Sequence, residues 1–354
     1  MEVGAPPHEA YLAAIGRELA LRAGRFTGEL VSIYLGGGTP SLWRPDCIAA
    51  AIAAIRERFG GAALREVTLE ANPVDVHAEN LAGWRAAGVD RLSIGVQSFS
   101  PRELVVLGRD HRFGDGRAAI ERALAAGFAT SADFILGVPG GVPGGQAGPP
   151  AVDLAPDHLS VYELTIEDRT AFGQRVRDGR MVPLPEDALT ELYLAMHDRL
   201  TAAGYEHYEI SSYARPGRRA VHNALYWRGA AFLGLGVGAA SLELDAGGGG
   251  RRVTNPRRAA DYLANPGAPA ETVACPAAEL AADRAWLGLR TADGVAEADL
   301  AAAPGLAEAL VDGGLAEHRA GRICPTLRGF LMADRIAARV VETWDARLWD
   351  GHHG

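Results

Sequence analysis

Short apolar runs alternate with amphipathic stretches along the first two thirds of the chain. Apolar runs bounded by glycine, proline or polar residues are typical of strands, whereas apolar positions three or four residues apart indicate helices. Glycine follows several of the helical stretches, as is common where helices end. The pattern predicts helices over Tyr11–Ala23, Pro45–Phe59, Glu79–Ala87, Gly116–Ala126 and Glu186–Ala203. It predicts a strand running into a glycine turn over Val31–Pro40, and strands over Val67–Pro73, Arg91–Phe99, Thr130–Gly140, His158–Ile166 and Tyr205–Ala214.

The regular alternation of strands and helices predicts βα units and a parallel sheet, an α/β fold. Five or six such units in series favour a barrel or partial barrel over a doubly wound sheet. The strands end in glycine or polar residues, and we call the ends that carry Glu70, Gln97 and Asp133 the polar edge. Parallel barrels bind their ligands at the carboxyl ends of the strands, so we expect the functional site at the polar edge.

Two stretches rich in glycine interrupt the pattern. Gly140–Pro150 lies where a crossover helix is expected, and its glycines and prolines cannot sustain one. Either a loop has replaced the helix or the gene carries a local frameshift, which we favour because the pattern resumes in register at Ala151. The second stretch, Ala246–Gly250, predicts the tip of a hairpin.

The sequence from about Cys275 onward predicts a separate, compact domain of short helices with a small β-wing. We therefore expect three regions: a partial barrel with accessory strands over residues 1–272, a winged-helix-like C-terminal domain over 273–345, and a tail over 346–354. The two histidines of the tail are interpreted as exposed to solvent.

Composition restricts the classes of function. The 354 residues carry a net charge of −9 and no long run of Lys or Arg, which argues against a nucleic-acid-binding protein. No apolar run is long enough to span a membrane, and the N-terminus lacks the features of a secretion signal. Cys47, Cys275 and Cys324 are far apart and follow no disulfide or metal-binding spacing. We expect them to be buried apolar residues of a cytoplasmic protein.

A glycine-rich turn is the first candidate for chemistry. Gly36–Pro40 follows a predicted strand and precedes a predicted helix. Without Cβ atoms, its backbone could approach a ligand and donate N–H groups to a carboxylate or phosphate. A sharp turn between strand and helix also requires glycine for steric reasons, so both interpretations remain open.

The polar edge strengthens the case for a ligand. In a parallel barrel, Glu70, Gln97 and Asp133 would converge, and their side chains can bind an amino group and ribose hydroxyls. Arg109 could form a bidentate pair with a carboxylate. Together these groups suit a zwitterionic nucleoside such as S-adenosylmethionine (SAM). Helix caps and surface ion pairs explain any one of these residues equally well, but not the ordered set.

Eight motifs, in order, resemble the coproporphyrinogen-oxidase-like radical SAM family, and the resemblance extends from Tyr11 to about Ile336. The HemW-type haem chaperones are the most similar branch, because one motif matches their HNxxYW pattern. Another matches their YEISNYA, with Ser212 in place of the asparagine. The motifs are Gly36–Pro40, Leu69–Pro73, Arg91–Phe99, Leu107–His111, Asp133–Gly140, Tyr208–Ala214, His222–Trp227 and Phe232–Ala239.

The resemblance implies a partial (β/α)6 barrel with SAM at its mouth. It further implies haem or porphyrin as a ligand and a haem-accepting protein as a possible partner, with no nucleic acid and at most peripheral membrane contact. His222 is the implied haem contact, and the alternative is a hydrogen-bonded histidine beside Trp227. For SAM, the implied contacts are Gly37, Gly38 and Thr39 to the methionine part, Glu70, Gln97 and Asp133 to the amino and ribose groups, Arg109 to the carboxylate, and Thr165 near the adenosine.

The chain departs from the family in its cysteines. Family members hold a 4Fe–4S cluster with a CxxxCxxC motif on the loop after the first strand, and no such motif occurs here. Cys47 lies beyond Gly36–Pro40, and a family histidine is replaced by Ala240. We also expect the first barrel strand to be absent. With the Gly140–Pro150 stretch, these departures suggest an imperfect gene model; a genuine paralogue without a cluster is the alternative.

Three functions are therefore considered. The first is a HemW-like protein that handles haem or porphyrin and uses SAM and a 4Fe–4S cluster in its full-length form. The second is an oxygen-independent coproporphyrinogen III oxidase, which the HNxxYW match disfavours. The third is a clusterless remnant that binds haem or SAM without catalysis.

Overall fold

The computed structural model describes residues 7–109, 114–139, 150–167 and 169–350. Within these ranges the chain forms thirteen α-helices and thirteen strands. The helices are α1 His8–Arg22, α2 Pro45–Phe59, α3 Ala78–Ala86, α4 Pro101–Val106, α5 Asp115–Ala125, α6 Ala171–Arg177, α7 Glu186–Ala202, α8 Val221–Trp227, α9 Ala259–Ala264, α10 Ala277–Gly288, α11 Leu306–Asp312, α12 Leu327–Leu331 and α13 Ala333–Asp350. The strands are β1 Ser32–Leu35, β2 Glu66–Ala71, β3 Arg91–Gln97, β4 Ala129–Leu136, β5 His158–Glu163, β6 Glu206–Glu209, β7 Ser212–Ala214, β8 Ala240–Leu244, β9 Gly250–Thr254, β10 Glu271–Cys275, β11 Val295–Ala296, β12 Ala316–Arg319 and β13 Arg322–Pro325.

A seven-stranded sheet with the order β1-β2-β3-β4-β5-β7-β6 forms the centre of the fold. Strands β2 to β5 are parallel neighbours, joined in sequence order. This arrangement confirms the predicted α/β fold with a parallel sheet. The sheet has two ends, at β1 and β6, so it is not closed into a barrel.

The last part of the sheet differs from the prediction of one strand over Tyr205–Ala214. The chain reverses at residues 210–211, and β6 and β7 pair antiparallel as a hairpin. The Glu209 side chain accepts a hydrogen bond from the Ser211 N–H at 3.3 Å, which satisfies a donor within the turn. The prediction was wrong because neither glycine nor proline, the usual markers of a reversal, occurs in this run.

The structure tests the prediction for one of the two glycine-rich stretches. The Ala246–Gly250 tip is confirmed, because β8 and β9 pair antiparallel on either side of it. The other stretch, Gly140–Pro150, lies almost entirely in residues 140–149, outside the described residues, and β5 is preceded by a short 3-10 turn at Pro150–Leu154. Residues 351–354 of the predicted tail also lie outside the described part of the chain.

The chain divides into two compact units. Unit 1 comprises residues 1–33, 46–65 and 221–354, and unit 2 comprises residues 34–45 and 66–220. The domain boundaries predicted at residues 272 and 345 stay a prediction. Among the described residues, no helix has both the length and the apolar composition that a bilayer crossing requires.

Unit 2 is organised by the parallel sheet, whose strands place apolar side chains on one face and polar side chains on the other. Leu69, Leu92 and Leu159 are fully buried on the apolar face. Trp84 of α3 and Ile120 of α5 are also fully buried. Each such side chain contributes roughly 1.5–3 kcal/mol through removal of its apolar surface from water. This packing fixes the strands whose other face carries the polar edge.

Unit 1 contains a separate apolar core formed by residues 282–344, in which Leu310, Ile323 and Val340 are fully buried. Its three-stranded sheet, with the order β11-β13-β12, is the β-wing that the sequence predicts. A second three-stranded sheet, β10-β9-β8, belongs to the same unit.

Candidate functional site

The register of the parallel sheet aligns polar side chains on neighbouring strands. Glu70 of β2 pairs with Ser93 of β3, and Ser93 pairs with Ser131 of β4. Two residues further along β4, Asp133 pairs with Ser160 of β5. Since paired residues of parallel strands point to the same face and side chains alternate along each strand, all five lie on one face of the sheet. The polar edge is therefore built from strand register.

Glu70 is bonded to the glycine-rich turn. Its Oε1 accepts a hydrogen bond from the Tyr34 hydroxyl at 2.6 Å, and its Oε2 accepts one from the Gly37 N–H at 3.0 Å. Gly37 and Gly38 have positive φ angles of 76° and 61°, which favour glycine, and a Cβ atom on either would meet nothing within 4 Å. The turn therefore has open space beside Gly37 and Gly38, and its hydrogen bond to Glu70 fixes the shape of the turn.

Gly36 has no such space, and Gly36→Ala is expected to destabilise unit 2. A Cβ atom there would lie 2.3 Å from Tyr34 Cε1 and 2.9 Å from Glu70 Oε1. The side chains must move apart, and overpacking of this kind costs about 1–3 kcal/mol. Chemical denaturation measures the loss, with Gly28→Ala as the control because a Cβ on Gly28 meets nothing within 4 Å. Equal stability of the two variants would contradict the expectation.

Asp133 is anchored at both carboxylate oxygens. Oδ2 accepts a hydrogen bond from the Ser93 hydroxyl at 2.8 Å, and Oδ1 accepts one from the Ser131 hydroxyl at 3.3 Å. Burial raises the pKa of Asp133 above its ordinary value, and the negative charge of Glu70 raises it further. Two carboxyl groups that influence each other at the polar edge favour a cationic ligand, which would offset their mutual repulsion.

Gln97, the last residue of β3, has strained backbone geometry. Its φ of 66° lies in the left-handed region, which is uncommon for residues other than glycine. The pairing of β3 with β4 is irregular between Ile94 and Gln97. Gly95 leaves room for the Gln97 side chain, since a Cβ on Gly95 would lie 2.9 Å from Gln97 Nε2. Such conformations are often retained where a side chain must be aimed at a ligand.

The other residues predicted to bind SAM are less constrained. Thr39 is half-buried and precedes a 3-10 turn at Pro40–Leu42. Arg109 is exposed after α4, where its N–H donates to the Leu104 carbonyl at 3.0 Å. Thr165 is exposed in the segment that follows β5. The structure thus joins Gly37 to Glu70 and couples Glu70 electrostatically to Asp133, while the roles of Thr39, Arg109 and Thr165 stay predictions.

His222, the candidate haem contact, lies in unit 1 on α8. Its Nδ1 is 3.0 Å from the Ser32 hydroxyl, and its ring packs edge-on against Tyr226 with centroids 4.9 Å apart. The Tyr226 ring also contacts Phe232, at 4.6 Å between centroids. His222 is therefore held by a hydrogen bond and an aromatic contact. Ala240, which stands where the family has a histidine, is exposed at the start of β8.

The cysteines do not form a site for an iron–sulfur cluster. Cys47, Cys275 and Cys324 are buried on α2, β10 and β13, and none of them forms a disulfide. Burial raises the pKa of the Cys324 thiol, which opposes formation of the thiolate that iron requires. In the part of the chain that the structure describes, no group of three or more His, Cys, Asp or Glu side chains could hold a metal ion. No cluster is assigned to these residues.

Several residues of the polar edge are not among those predicted from the sequence. Tyr34, Ser93 and Ser131 bond directly to Glu70 or Asp133, and Tyr162 of β5 keeps 47 % of its surface exposed. The signal was present as polar or small residues at every second position of strands that are otherwise apolar. Strands of parallel sheets with both faces covered usually lack this alternation.

Comparison with known proteins identifies the family. Residues 9–142 match the radical SAM superfamily. The chain is 36% identical over 346 residues to a protein of Mycobacterium tuberculosis H37Rv named "Heme chaperone HemW". The matched region covers 95% of this chain and 87% of the relative. The protein of the same name from Escherichia coli K12 is 39% identical over 243 residues, 67% of this chain and 62% of the relative.

Among solved structures, coproporphyrinogen III oxidase (HemN) from Escherichia coli, a radical SAM enzyme, has a similar fold. The TM-score is 0.76 at 23% sequence identity, over 94% of this chain and 83% of the other. At this identity the likeness shows the fold alone. The extent and identity of the matches to the HemW proteins show that the chain belongs to the radical SAM superfamily and, within it, to the HemW family.

Proposed function

We propose that the protein is a haem chaperone that binds SAM at the polar edge and haem through His222. The observation that carries the SAM site is the pair of anchored carboxyl groups, Glu70 and Asp133, beside a glycine turn with open space. The names of the relatives support haem as the cargo and delivery to an acceptor protein as the function. A cytoplasmic location is part of the same proposal.

The proposed SAM contacts follow from charge and donor type. SAM carries a positive ammonium and sulfonium, for which Glu70 and Asp133 provide negative charge, and a carboxylate, for which Arg109 provides a guanidinium. The backbone of the Gly37–Thr39 turn suits the methionine part through its open space, and the Gly37 N–H is already donated to Glu70. Gln97 can bind a ribose hydroxyl, and Thr165 extends the edge toward the adenosine. The family's cluster would supply the electron for radical chemistry, and no radical step is assigned to the residues of this chain.

Haem as cargo suits the setting of His222. The Ser32 hydroxyl engages Nδ1, and a hydrogen bond to one ring nitrogen is the usual support of a metal-binding histidine. Tyr226, which keeps 42 % of its surface exposed, offers an aromatic face beside it. The oxidase alternative is weaker because HemN shares the fold at 23% identity, whereas the HemW relatives match at 36% and 39%.

We expect His222→Ala to weaken haem binding by at least tenfold, since the variant lacks the proposed iron ligand. Haem titration followed by the Soret band measures the affinity and reports the axial ligand. His318→Ala is the matched control, because His318 is an exposed histidine of β12, in the β-wing. If both variants bind haem as the wild type does, His222 is not the ligand. A porphyrin product formed in an anaerobic assay with coproporphyrinogen III would favour the oxidase instead.

A further inference from the structure

A buried histidine lies behind the Asp133 carboxylate, in a chain of hydrogen bonds within unit 2. His158, the first residue of β5, is 1 % exposed. Its Nδ1 is 2.8 Å from the Ser131 hydroxyl, and its Nε2 is 2.8 Å from the Tyr208 hydroxyl. Ser131 bonds Asp133 Oδ1 at 3.3 Å, and the Tyr208 oxygen accepts the Ala220 N–H at 3.3 Å. This chain of hydrogen bonds therefore runs from the backbone amide of Ala220 to Asp133 at the polar edge.

The proton count gives this chain a direction. Ser131 has one hydroxyl proton, and when that proton is donated to Asp133, the Ser131 oxygen must accept from His158 Nδ1–H. Burial lowers the pKa of His158 well below its ordinary value, with the positive charge of Arg91 as a second cause, so the ring is neutral. With a single ring proton on Nδ1, Nε2 must accept, and the Tyr208 hydroxyl donates to it.

The far end of the chain is compatible with the same direction. The Ala220 N–H can only donate, so the Tyr208 oxygen accepts it and the Tyr208 proton is available for His158. With this direction, every hydrogen bond of the chain points toward Asp133. Hydrogen bonds aligned in this way polarise and strengthen one another in a site of low dielectric.

We infer that His158, as its Nδ1–H tautomer, is a positioning residue that acts through Ser131 to orient the Asp133 carboxylate toward the cationic part of a bound ligand. This inference rests on the proposed SAM site. Ser93 bonds Oδ2, and Oδ1 is bonded by Ser131, the last member of the chain that begins at Ala220. Ser160 also hydrogen-bonds the carboxylate, from outside this chain. The His158 side chain is not proposed to contact the ligand directly.

The tautomer of His158 is measured without any ligand. In the full chain labelled with 15N-histidine, the ring nitrogen shifts distinguish Nδ1–H, Nε2–H and the protonated ring, and the signal that disappears in His158→Gln belongs to His158. We expect a neutral ring with the proton on Nδ1. A proton on Nε2 would reverse the direction of the chain, and a protonated ring would donate to both Ser131 and Tyr208; either result would overturn the inference.

The positioning role is measured by calorimetric titration of SAM into Tyr208→Phe. This variant keeps the aromatic ring but removes the donor to His158, and losing one hydrogen bond of the chain should weaken SAM binding roughly two- to tenfold. Tyr205→Phe is the matched control, because Tyr205 is equally buried and its hydroxyl bonds the Pro156 carbonyl at 2.7 Å, outside the chain. Equal affinities of the two variants would overturn the role.

The two measurements separate this inference from the proposed function. A wild-type chain that fails to bind SAM refutes the proposed SAM site and, with it, the positioning role. The tautomer measurement still decides the direction of the hydrogen bonds in that case. A wild-type chain that binds SAM while Tyr208→Phe binds equally well leaves the proposed function intact and removes His158 from it.

Discussion

Replacing Arg22 with alanine is expected to lower the free energy of unfolding by about 3–5 kcal/mol, the largest stability effect we foresee. Arg22 is buried in unit 1, and its guanidinium lies between two buried carboxylates. Nη1 is 3.0 Å from Glu18 Oε1, and Nη2 is 3.3 Å from Glu243 Oε1. Removing the arginine leaves Glu18 buried without this positive charge, and its desolvation penalty is then poorly offset, whereas Glu243 keeps its pair with Arg251 at 2.7 Å.

Neutral groups complete this network and explain why it is a sensitive position. Glu18 Oε2 accepts hydrogen bonds from the Tyr262 hydroxyl at 2.8 Å and from the Gly236 N–H at 2.9 Å. Asn255 donates to Glu18 Oε1 at 2.7 Å and accepts from Arg22 at 3.2 Å. The network thus ties α1 to several segments from later in the chain. Breaking the pairs of Arg22 with Glu18 and Glu243 should loosen all of these contacts together.

Chemical denaturation of Arg22→Ala and Arg17→Ala tests the expectation. Arg17 lies on the same helix but is exposed, so its replacement should change stability by no more than about 0.5 kcal/mol. The double variant Glu18→Gln/Arg22→Met should recover part of the loss, because it removes a charge of each sign. A loss of less than about 1 kcal/mol in Arg22→Ala would contradict the expectation and show that water or the remaining partners of the two carboxylates compensate for the missing charge.

Much of the fold could be predicted because apolar patterning reports directly on strands and helices. α2 was predicted with its observed bounds, and the β-strands of unit 2 were predicted with ends that differ by a few residues. The end of β3 differs because the left-handed Gln97 ends the hydrogen-bonding ladder earlier than the predicted strand does. The β6–β7 hairpin was missed for a related reason, since its turn is made by Ile210 and Ser211.

The candidate site was only partly predictable. Glu70, Gln97 and Asp133 could be named because acidic and amide groups at strand ends are unusual, and Gly37 and Gly38 because glycine marks a turn. Their anchors could not be named, because Ser93 and Ser131 become partners of Asp133 only through the register of β3 and β4. Register depends on packing of the opposite face, which local sequence does not encode. His158 was missed for the same reason.

Replacing Asp133 with asparagine is expected to have opposite effects on ligand binding and on stability. If SAM binds as proposed, the variant lacks one of two negative charges opposite a cation in a partly desolvated site. Losing such a charge costs about 2–5 kcal/mol, which weakens binding by roughly thirtyfold or more. Calorimetric titration of SAM measures the affinity at neutral pH.

The same variant should be more stable than the wild type at neutral pH. Burial raises the pKa of Asp133, so the folded state binds the proton of this group more tightly than the unfolded state does. The contribution of Asp133 to stability is therefore most favourable at low pH, and it is lost as pH rises from the ordinary value of 3.8 through the raised pKa. Asparagine does not ionise, so the variant avoids the loss of stability that ionisation of Asp133 causes. The difference in stability between the variant and the wild type should therefore shrink as the pH is lowered.

Asp153→Asn is the matched control for both effects. Asp153 is an exposed aspartate of the same unit whose carboxylate pairs with Arg117 at 2.7 Å, and that pair lowers its pKa. Its replacement should leave SAM binding unchanged and remove at most about 1 kcal/mol of stability. If Asp133→Asn binds SAM normally, the polar edge is not the SAM site. If it binds poorly and is also less stable, Asp133 is needed for folding, and the loss of binding follows from that. Only weaker SAM binding together with higher stability at neutral pH indicates that Asp133 is kept for the ligand. In that case the charge of Asp133 lowers the stability of the fold and is needed for binding.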